Sequence, residues 1–438
     1  MQITRRGDNA LSRHPKTDGF AQSLLKRAVR IQSGVLLTLM YGAVTPAFAV
    51  DTPPFPQLLR QSLEQAPMLL EQAANVRAAG AMARQSRAWS NPSISIVKEN
   101  LGAPAVSGIQ REDTYTVTQS FELGGKRAAR MHAEERKLNA AVTRRRQAEV
   151  ELAAELAVAY ASAEGAQRRA RLAKDDVERA QDELLAAQAL VKAGREAALR
   201  VAQARASVAV ATAAQQVAEA DRAEALLQLS VMAGAKEPFT NIDSPFLAQA
   251  AGVRPDIEHE PDQPPAVATA VAERDALAAQ VRVEQKRWLP DLSVSAGWRK
   301  FGGTGDSAKT VGIALSVPLF DRNQGGIDAA QARAAGAEAR VEAARLEAQA
   351  HHRAALARVD AADKRLEAAM AGESAAMDAY RMGRAGYEAG KTPLVELLAI
   401  RRALAEAQTS TVEAQLERVR VIATLAAAEG RIAFGEAK

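Results

Sequence analysis

The stretch TVGIALSVPLFDRNQGG, residues 310–326, decides the fold. Val311, Ile313, Leu315, Val317 and Leu319 are apolar at every second position, and Gly312, Ala314 and Ser316 between them are small or polar. That is the period of a strand with one apolar face, predicted here over residues 311–319 and stopped by Pro318 to Asp321. From about 327 to 389 the chain is dominated by Ala, Glu, Arg and Gln and contains no proline, so the strand feeds directly into one long helix. The same junction occurs earlier, where VTQSFELGGKR, residues 117–127, leads into a helical run over 126–192. At about 1.5 Å per residue each run is a rod roughly 100 Å long.

The unit around these junctions is written twice. Gln65-Ala66-Pro67 is echoed by Gln263-Pro264-Pro265, the stretch NPSISI at 91–96 by LPDLSV at 289–294, and Ala193-Gly194-Arg195 by Ala389-Gly390-Lys391. Each unit reads helix, strand, loop, strand, long helix, turn, long helix. In the first, a helix over about 55–88 softens near Pro67; strands follow at 91–99 and 113–121, with a polar loop holding Gly102, Pro104 and Gly108. The rod then reaches Lys192, Gly194 suits a left-handed helix end, and a return helix runs to about Met232. In the second, a helix to about Arg287 precedes strands at 292–298 and 311–319, separated by a loop at 301–309. The rod ends near Ala389, and a return helix starting near Pro393 runs to about Ala433. Residues 234–265 carry six prolines and read as irregular chain. The expected organisation is a leader at 1–49, repeats at 50–233 and 266–438, and a Pro-rich linker at 234–265.

Composition agrees with rods. Only 9 Phe, 5 Tyr and 3 Trp occur in 438 residues, so large core-filling side chains are scarce, and alanine-rich faces suit close helix packing. Leu397, Leu404 and Thr411 in the last helix are seven apart, as are Val412 and Val419, which marks a packing seam.

The N-terminus reads as an export signal. Arg13, Lys16, Lys26, Arg27 and Arg30 precede an apolar run at 34–44, and Ala47-Phe48-Ala49 has the small-x-small cleavage pattern, which puts the mature start at Val50. Of the 57 Lys/Arg and 52 Asp/Glu, seven and two lie in residues 1–49, so the remainder is formally neutral. Nucleic-acid binding therefore loses its electrostatic support. With no cysteine, neither disulfides, zinc-thiolate sites nor a lipidated N-terminal cysteine is expected. Beyond Ala49 no run approaches eighteen uninterrupted apolar residues, so no transmembrane helix is expected.

Four strands of seven to ten residues are long enough to cross a bilayer when tilted. Leu292, Val294, Ala296 and Trp298 alternate with Ser293, Ser295, Gly297 and Arg299 as the fourth strand's residues do. Val311, Ile313, Leu315 and Val317 are the expected lipid-facing set. Four strands cannot close a barrel, and a spanning sheet tolerates no free edge, so the chain is expected to oligomerise.

With its export leader, duplicated unit, NPSISI and LPDLSVSAGW openings, FELGGKR and PLFDRNQGG junctions and YEAGKTPLVELL turn, the chain resembles the TolC-type outer-membrane efflux ducts. The junction wording is most similar to the CzcC-type branch, which serves heavy-metal resistance-nodulation-division (RND) pumps. The resemblance implies a mainly α fold with a transmembrane β-barrel portion: a homotrimer whose twelve strands form one barrel in the outer membrane, on a periplasmic α-helical tunnel. It also implies that the tips at Ala193, Gly194 and Arg195, and at Ala389, Gly390, Lys391, Thr392 and Pro393, dock a periplasmic adaptor that links the duct to an inner-membrane pump.

No nucleophile elbow, phosphate loop or Cys-x-x-Cys is present, so no catalysis and no cofactor are expected. Gly302-Gly303-Thr304-Gly305 lies between strands, where glycines serve a turn. His132 is isolated. His351 and His352 are adjacent on a helix and diverge, and Glu258-His259-Glu260 lies in the acidic linker, so no resident metal site is expected. A duct needs instead a closable periplasmic end, for which Arg381, Arg384 and Glu388, just before the second turn, are the candidates. The expected function is passive export, of heavy-metal cations by resemblance or of organic solutes as the alternative. A periplasmic coiled-coil adaptor is the competing class, but it would carry one hairpin flanked by β-domains rather than a duplicated unit.

Overall fold

The structure is a computed structural model that describes residues 50–102, 111–254 and 263–435. The leader, Pro104, Gly108 and the Glu258-His259-Glu260 triplet lie outside these residues. In chain order the elements are β1 (Val50–Asp51), α1 (Phe55–Gln65), α2 (Pro67–Gln85), β2 (Ser93–Glu99), β3 (Glu112–Glu122), α3 (Lys126–Lys192) and α4 (Ala198–Ala233). There follow β4 (Phe239–Asn241), α5 (Phe246–Gly252), α6 (Pro265–Lys286), β5 (Asp291–Phe301), β6 (Ser307–Leu315), α7 (Gln324–Glu388) and α8 (Leu394–Ala428). Among the described residues no helix is long and apolar enough to cross a membrane.

The two rods α3 and α7 contain 67 and 65 residues. On the side of the turns each lies against its return helix, α4 or α8, and toward the sheet α3 lies against α2 and α6 and α7 against α6. The buried positions of α3 are mostly alanine, among them Ala133, Ala140, Ala153, Ala157, Ala163 and Ala187. Small side chains let the axes approach closely, the reason a chain poor in large residues can still pack.

The largest core sits mid-rod, where α1, α3, α4, α5 and α8 converge. Phe55 packs on Phe246 at 4.4 Å between ring centroids and on Tyr160 at 5.7 Å, with Phe434 at 5.5 Å from Phe246. Tyr160 donates its hydroxyl to the Pro53 carbonyl at 3.1 Å, and burial pushes its pKa up to about 12. This region corrects the expectation of irregular chain between the repeats. β4 pairs in parallel with β1, and α5 buries Phe246, Leu247, Ala250 and Ala251. Arg418, almost fully buried on α8, pins the end of α5 by donating to the Ala251 and Val253 carbonyls, the latter at 2.9 Å, and pairs with Asp363 at 2.6 Å. The prolines break the chain into short pieces, while the aromatics between them supply the burial that fixes those pieces.

The four-stranded sheet has the order β2-β3-β5-β6 and is antiparallel throughout. Its centre joins the two repeats, with Glu112 opposite Phe301 and Glu122 opposite Asp291. β6 ends at Leu315, short of the expected Leu319, so Val317 lies beyond the strand. Leu315 pairs with Leu292, and the partner strand starts only one residue earlier, just after Pro290, so later residues have nothing to pair with. The expected loop at 301–309 is also shorter, because Phe301 belongs to β5 and Ser307 already opens β6. A tight turn closes it, with Gly305 at φ +74 and its N–H donating to the Phe301 carbonyl at 3.1 Å. α8 stops at Ala428 rather than near Ala433, where the Arg431 N–H donates to the Ala426 carbonyl and Gly430 takes φ +74.

Candidate functional site

At the two turns the chain builds the same helix end twice. The Arg195 N–H donates to the Leu190 carbonyl at 2.9 Å and the Gly194 N–H to Val191 at 3.0 Å; Lys391 donates to Gly386 at 2.8 Å and Gly390 to Tyr387 at 2.9 Å. This crossed pair of bonds needs a left-handed residue, and Gly194 and Gly390 take φ +70 and +71. Pro393 stands in extended conformation immediately before α8. The two turns are neighbours, since a Cβ placed on Gly390 would sit 3.2 Å from the Arg195 guanidinium. Ala193, Lys391 and Pro393 are exposed and Thr392 is half-buried. Directly behind the tips a small core of Ala187, Ala204, Tyr387, Leu394 and Leu397 locks the hairpins together.

Of the three gate candidates only Arg384 connects the two hairpins. It reaches Asp182 on α3 at 3.5 Å and Glu388 on its own helix at 3.1 Å, whereas among the described residues Arg381 pairs with Asp378 alone, one turn back. Carboxylates on both sides hold the Arg384 guanidinium firmly protonated, the hydrogen bond to Glu388 most of all.

A buried charge cluster next to them went unread in the sequence. Arg401 on α8, almost entirely enclosed, lies 3.1 Å from Glu183 and 2.6 Å from Asp176, both on α3, and donates to the Ser207 hydroxyl on α4 at 2.5 Å. The Tyr380 hydroxyl on α7 completes the set at 3.4 Å from Glu183. Side chains of all four helices thus meet in one cluster, three of them at the guanidinium and α7 through Glu183. Burial outweighs Arg401 and pushes the Glu183 carboxyl up to about 7. The available signal was the α8 seam, where Leu394, Leu397, Arg401, Leu404, Gln408 and Thr411 are spaced alternately three and four apart. All six are buried, and Arg401 is the charged residue on an otherwise uncharged stripe.

The sheet sorts its side chains by register. On one face lie Ile94, Ile96, Tyr115, Val117, Phe121, Leu292, Val294, Ala296, Trp298, Val311, Ile313 and Leu315, with Gln119 opposite Val294 as the polar member among them, its amide donating to the Ser90 carbonyl at 2.8 Å. Val311 and Ile313 are 81% and 74% exposed. The other face carries Ser93, Ser95, Thr114, Thr116, Thr118, Ser120, Ser293, Ser295, Gly297, Thr310 and Gly312 beside Val97 and Ala314, with Ser120 and Ser293 hydroxyls 3.1 Å apart. Aromatic pairs stand at both ends of the apolar face: Tyr115 stacks on Trp298 at 5.3 Å, and Trp89 meets Phe121 edge-on at 6.4 Å. In this chain β2 and β6 are open edges.

Among the described residues no group of three or more His, Asp or Glu is placed to hold a metal ion. His352 faces Glu429 at 3.5 Å while exposed His351 points elsewhere, as their adjacency on a helix requires.

The family model described as outer membrane efflux protein matches the chain twice, over residues 58–235 and 261–431. The chain is 52% identical over 406 residues to the nickel-cobalt-cadmium resistance protein NccC of Alcaligenes xylosoxydans xylosoxydans, covering 92% of each chain. It is 54% identical over 396 residues to the nickel and cobalt resistance protein CnrC of Cupriavidus metallidurans, covering 90% of this chain and 94% of that one. Among solved structures, CusC, studied for conformational changes accompanying folding and transmembrane channel formation, superposes with a TM-score of 0.73 at 18% identity, over 88% of this chain and 94% of that one. The fold is that of TolC-like outer-membrane channels.

Proposed function

This chain belongs to the outer membrane efflux protein family, and on that premise we propose that it is the exit duct of a tripartite RND efflux system for divalent heavy-metal cations, nickel and cobalt foremost. The observation that carries a duct is the register of the sheet, which puts an apolar surface on one side and a Ser/Thr/Gly surface on the other. A sheet of this kind is stable in a bilayer only when its edges are closed. Three copies, each joining its β2 to a neighbour's β6, make a twelve-stranded barrel whose hydroxyl-lined face surrounds water and whose apolar face meets outer-membrane lipid. Residues 1–49 direct export and are removed.

The rods then continue the lumen into the periplasm as a helical tunnel. Their tips, Ala193 to Arg195 and Ala389 to Pro393, lie about 100 Å from the strands and receive the adaptor that couples the duct to the pump. Arg384, with Glu388 and Asp182, holds the entrance narrow. The pump supplies the energy, and the duct contributes a path.

The metal assignment rests on the two resistance proteins to which the chain is more than half identical. Deleting the gene and measuring growth on Ni, Co, Cd and Zn salts beside dyes and antibiotics tests it. Sensitivity to nickel and cobalt restored by the cloned gene is the expected result, and sensitivity confined to organic compounds overturns it.

A further inference from the structure

The lower end of the apolar sheet face carries a cation that the duct function leaves unexplained. Arg127, at the second position of α3, lays its guanidinium over the Trp89 ring at 4.8 Å from the centroid. Its Nε donates to the Arg87 carbonyl at 3.0 Å, and Nη2 donates to the same oxygen. These bonds fix the group in place, and among the described residues Nη1 has no hydrogen-bond partner. Among the described residues no carboxylate lies within ion-pair distance of it. The neighbouring bases differ, since Arg87 pairs with Glu135 at 3.1 Å, Arg130 with Glu122, and Lys126 with Asp291 at 2.9 Å. An Arg near the first turn of α3 is unfavourable for that helix's dipole; its two bonds cap a carbonyl just past the end of α2 and leave its charge without an acidic partner among the described residues.

Its level is set by the sheet. Trp89 is 63% exposed and meets Phe121, which register places on the apolar face. Trp89 therefore stands on the lipid side. Six residues separate the Tyr115 ring from the Phe121 ring along β3, about 20 Å at strand rise, and Trp89 extends the band toward the roughly 25 Å apolar height of outer-membrane barrels. Amphipathic rings at the two ends of such a band sit among lipid headgroups. A pinned guanidinium without a counter-ion beside one of them faces the phosphate level of the leaflet nearer the rods.

We propose that Trp89 and Arg127 form a binding site for the headgroup of an anionic glycerophospholipid in that leaflet, Trp89 covering the glycerol region and Arg127 donating to the phosphodiester. The site rests on the reading of the sheet as membrane-spanning. Arginine suits the task because its planar fork can keep two donors on the protein and offer a third.

The test uses full-length protein reconstituted in phosphatidylcholine vesicles with a rising fraction of acyl-brominated phosphatidylglycerol or brominated phosphatidylcholine. Trp288→Phe with Trp298→Phe leaves Trp89 as reporter, and Trp89→Phe with Trp288→Phe leaves Trp298. Quenching of Trp89 is expected to reach half its maximum at about fivefold less phosphatidylglycerol than phosphatidylcholine, the preference one arginine near an anionic surface confers. Arg127→Gln should abolish the preference and Arg127→Lys should retain most of it. Equal quenching by both lipids, or a preference that survives Arg127→Gln, overturns the site. Quenching of Trp298 but not Trp89 overturns the site and leaves the spanning sheet standing; quenching of neither overturns both. Inorganic phosphate should leave the preference unchanged, and its loss on adding phosphate would assign the site to free anion instead of lipid.

Discussion

The guanidinium of Arg401 lies 3.1 Å from the carboxylate of Glu183 with both side chains out of water, and Asp176 occupies its other edge at 2.6 Å. One positive charge thus faces two carboxyl groups. The cluster is neutral when Glu183 holds a proton, which agrees with the rise of its pKa from 4.5 to about 7. Desolvation favours the uncharged form more than one shared arginine favours the charged one.

Stability should follow the titration of this carboxyl. Glu183 binds its proton more tightly folded than unfolded, so the contribution is full below about pH 4.5 and is lost as pH rises through about 7. Denaturant midpoints of the wild type, taken from pH 5 to 8 and referred to Glu183→Gln, should decline with rising pH. A difference that grows instead would show the carboxylate, not the acid, to be the native form. Arg401→Met should be far worse, by about 3–5 kcal/mol, because it leaves buried carboxylates without their cation.

The sheet faces predict opposite tolerance at adjacent positions. Ile313 on β6 lies between Val311 and Leu315 on the apolar face and pairs with Val294, while Ala314 beside it faces the hydroxyl-lined side opposite Ser293. Ile313→Arg should cost about 2–4 kcal/mol at the bilayer midplane and reduce assembled protein in outer membranes, with Ala314→Arg much milder. Equal losses on immunoblots of membrane fractions would contradict the assignment of faces.

At the tips, Gly390→Val should separate assembly from export. A β-branched residue at φ +71 costs about 1–2 kcal/mol, and its Cβ would press on Arg195. That is too little to melt the rods but enough to reshape the surface offered to an adaptor. Metal resistance should fall while the amount of assembled protein in outer membranes stays near normal. Gly194→Val, strained by its φ alone since nothing lies within 4 Å of its Cβ, should weaken resistance less.

Arg384→Ala should leave stability nearly unchanged, since exposed ion pairs contribute about 0–1 kcal/mol. It should raise single-channel conductance in planar bilayers, because the link from α7 to Asp182 is gone. Arg381→Ala, which removes only a pair within one helix, should not; equal conductance gains from both would remove Arg384 from the entrance.

Much of this architecture was legible because its signals are local. The rod over 126–192 coincides with its expected bounds, since an uninterrupted Ala/Arg/Glu run has no reason to stop before Gly194. The alternation in β3, β5 and β6 gave the correct faces because a strand's period is a property of its own residues. What stayed hidden depended on distant partners. β6 ends where β5 begins, which no residue of β6 records. Residues 239–252 look irregular until Phe239 and Phe246 find Phe55 and Tyr160 from elsewhere in the chain. Arg401 reads as another surface arginine until Glu183 and Asp176 on α3 are brought to it, although its place on the α8 seam marked it.

The pairing of β3 with β5 also dictates an order of events. Ser120 and Ser293, bonded neighbours in the sheet, are 173 positions apart. While the chain emerges from its amino end, β2 and β3 exist as a lone hairpin with an apolar face and an unsatisfied edge, and a two-stranded ribbon is marginally stable at best. It must wait for the whole first rod, the return helix and α6 to be made before β5 arrives. Long-range closures of this kind are slow, and the exposed edge can meanwhile pair with the wrong copy. The duplicated layout therefore leaves the first hairpin's open edge waiting on a partner strand from the second half, and it sets a deadline that the second half must meet.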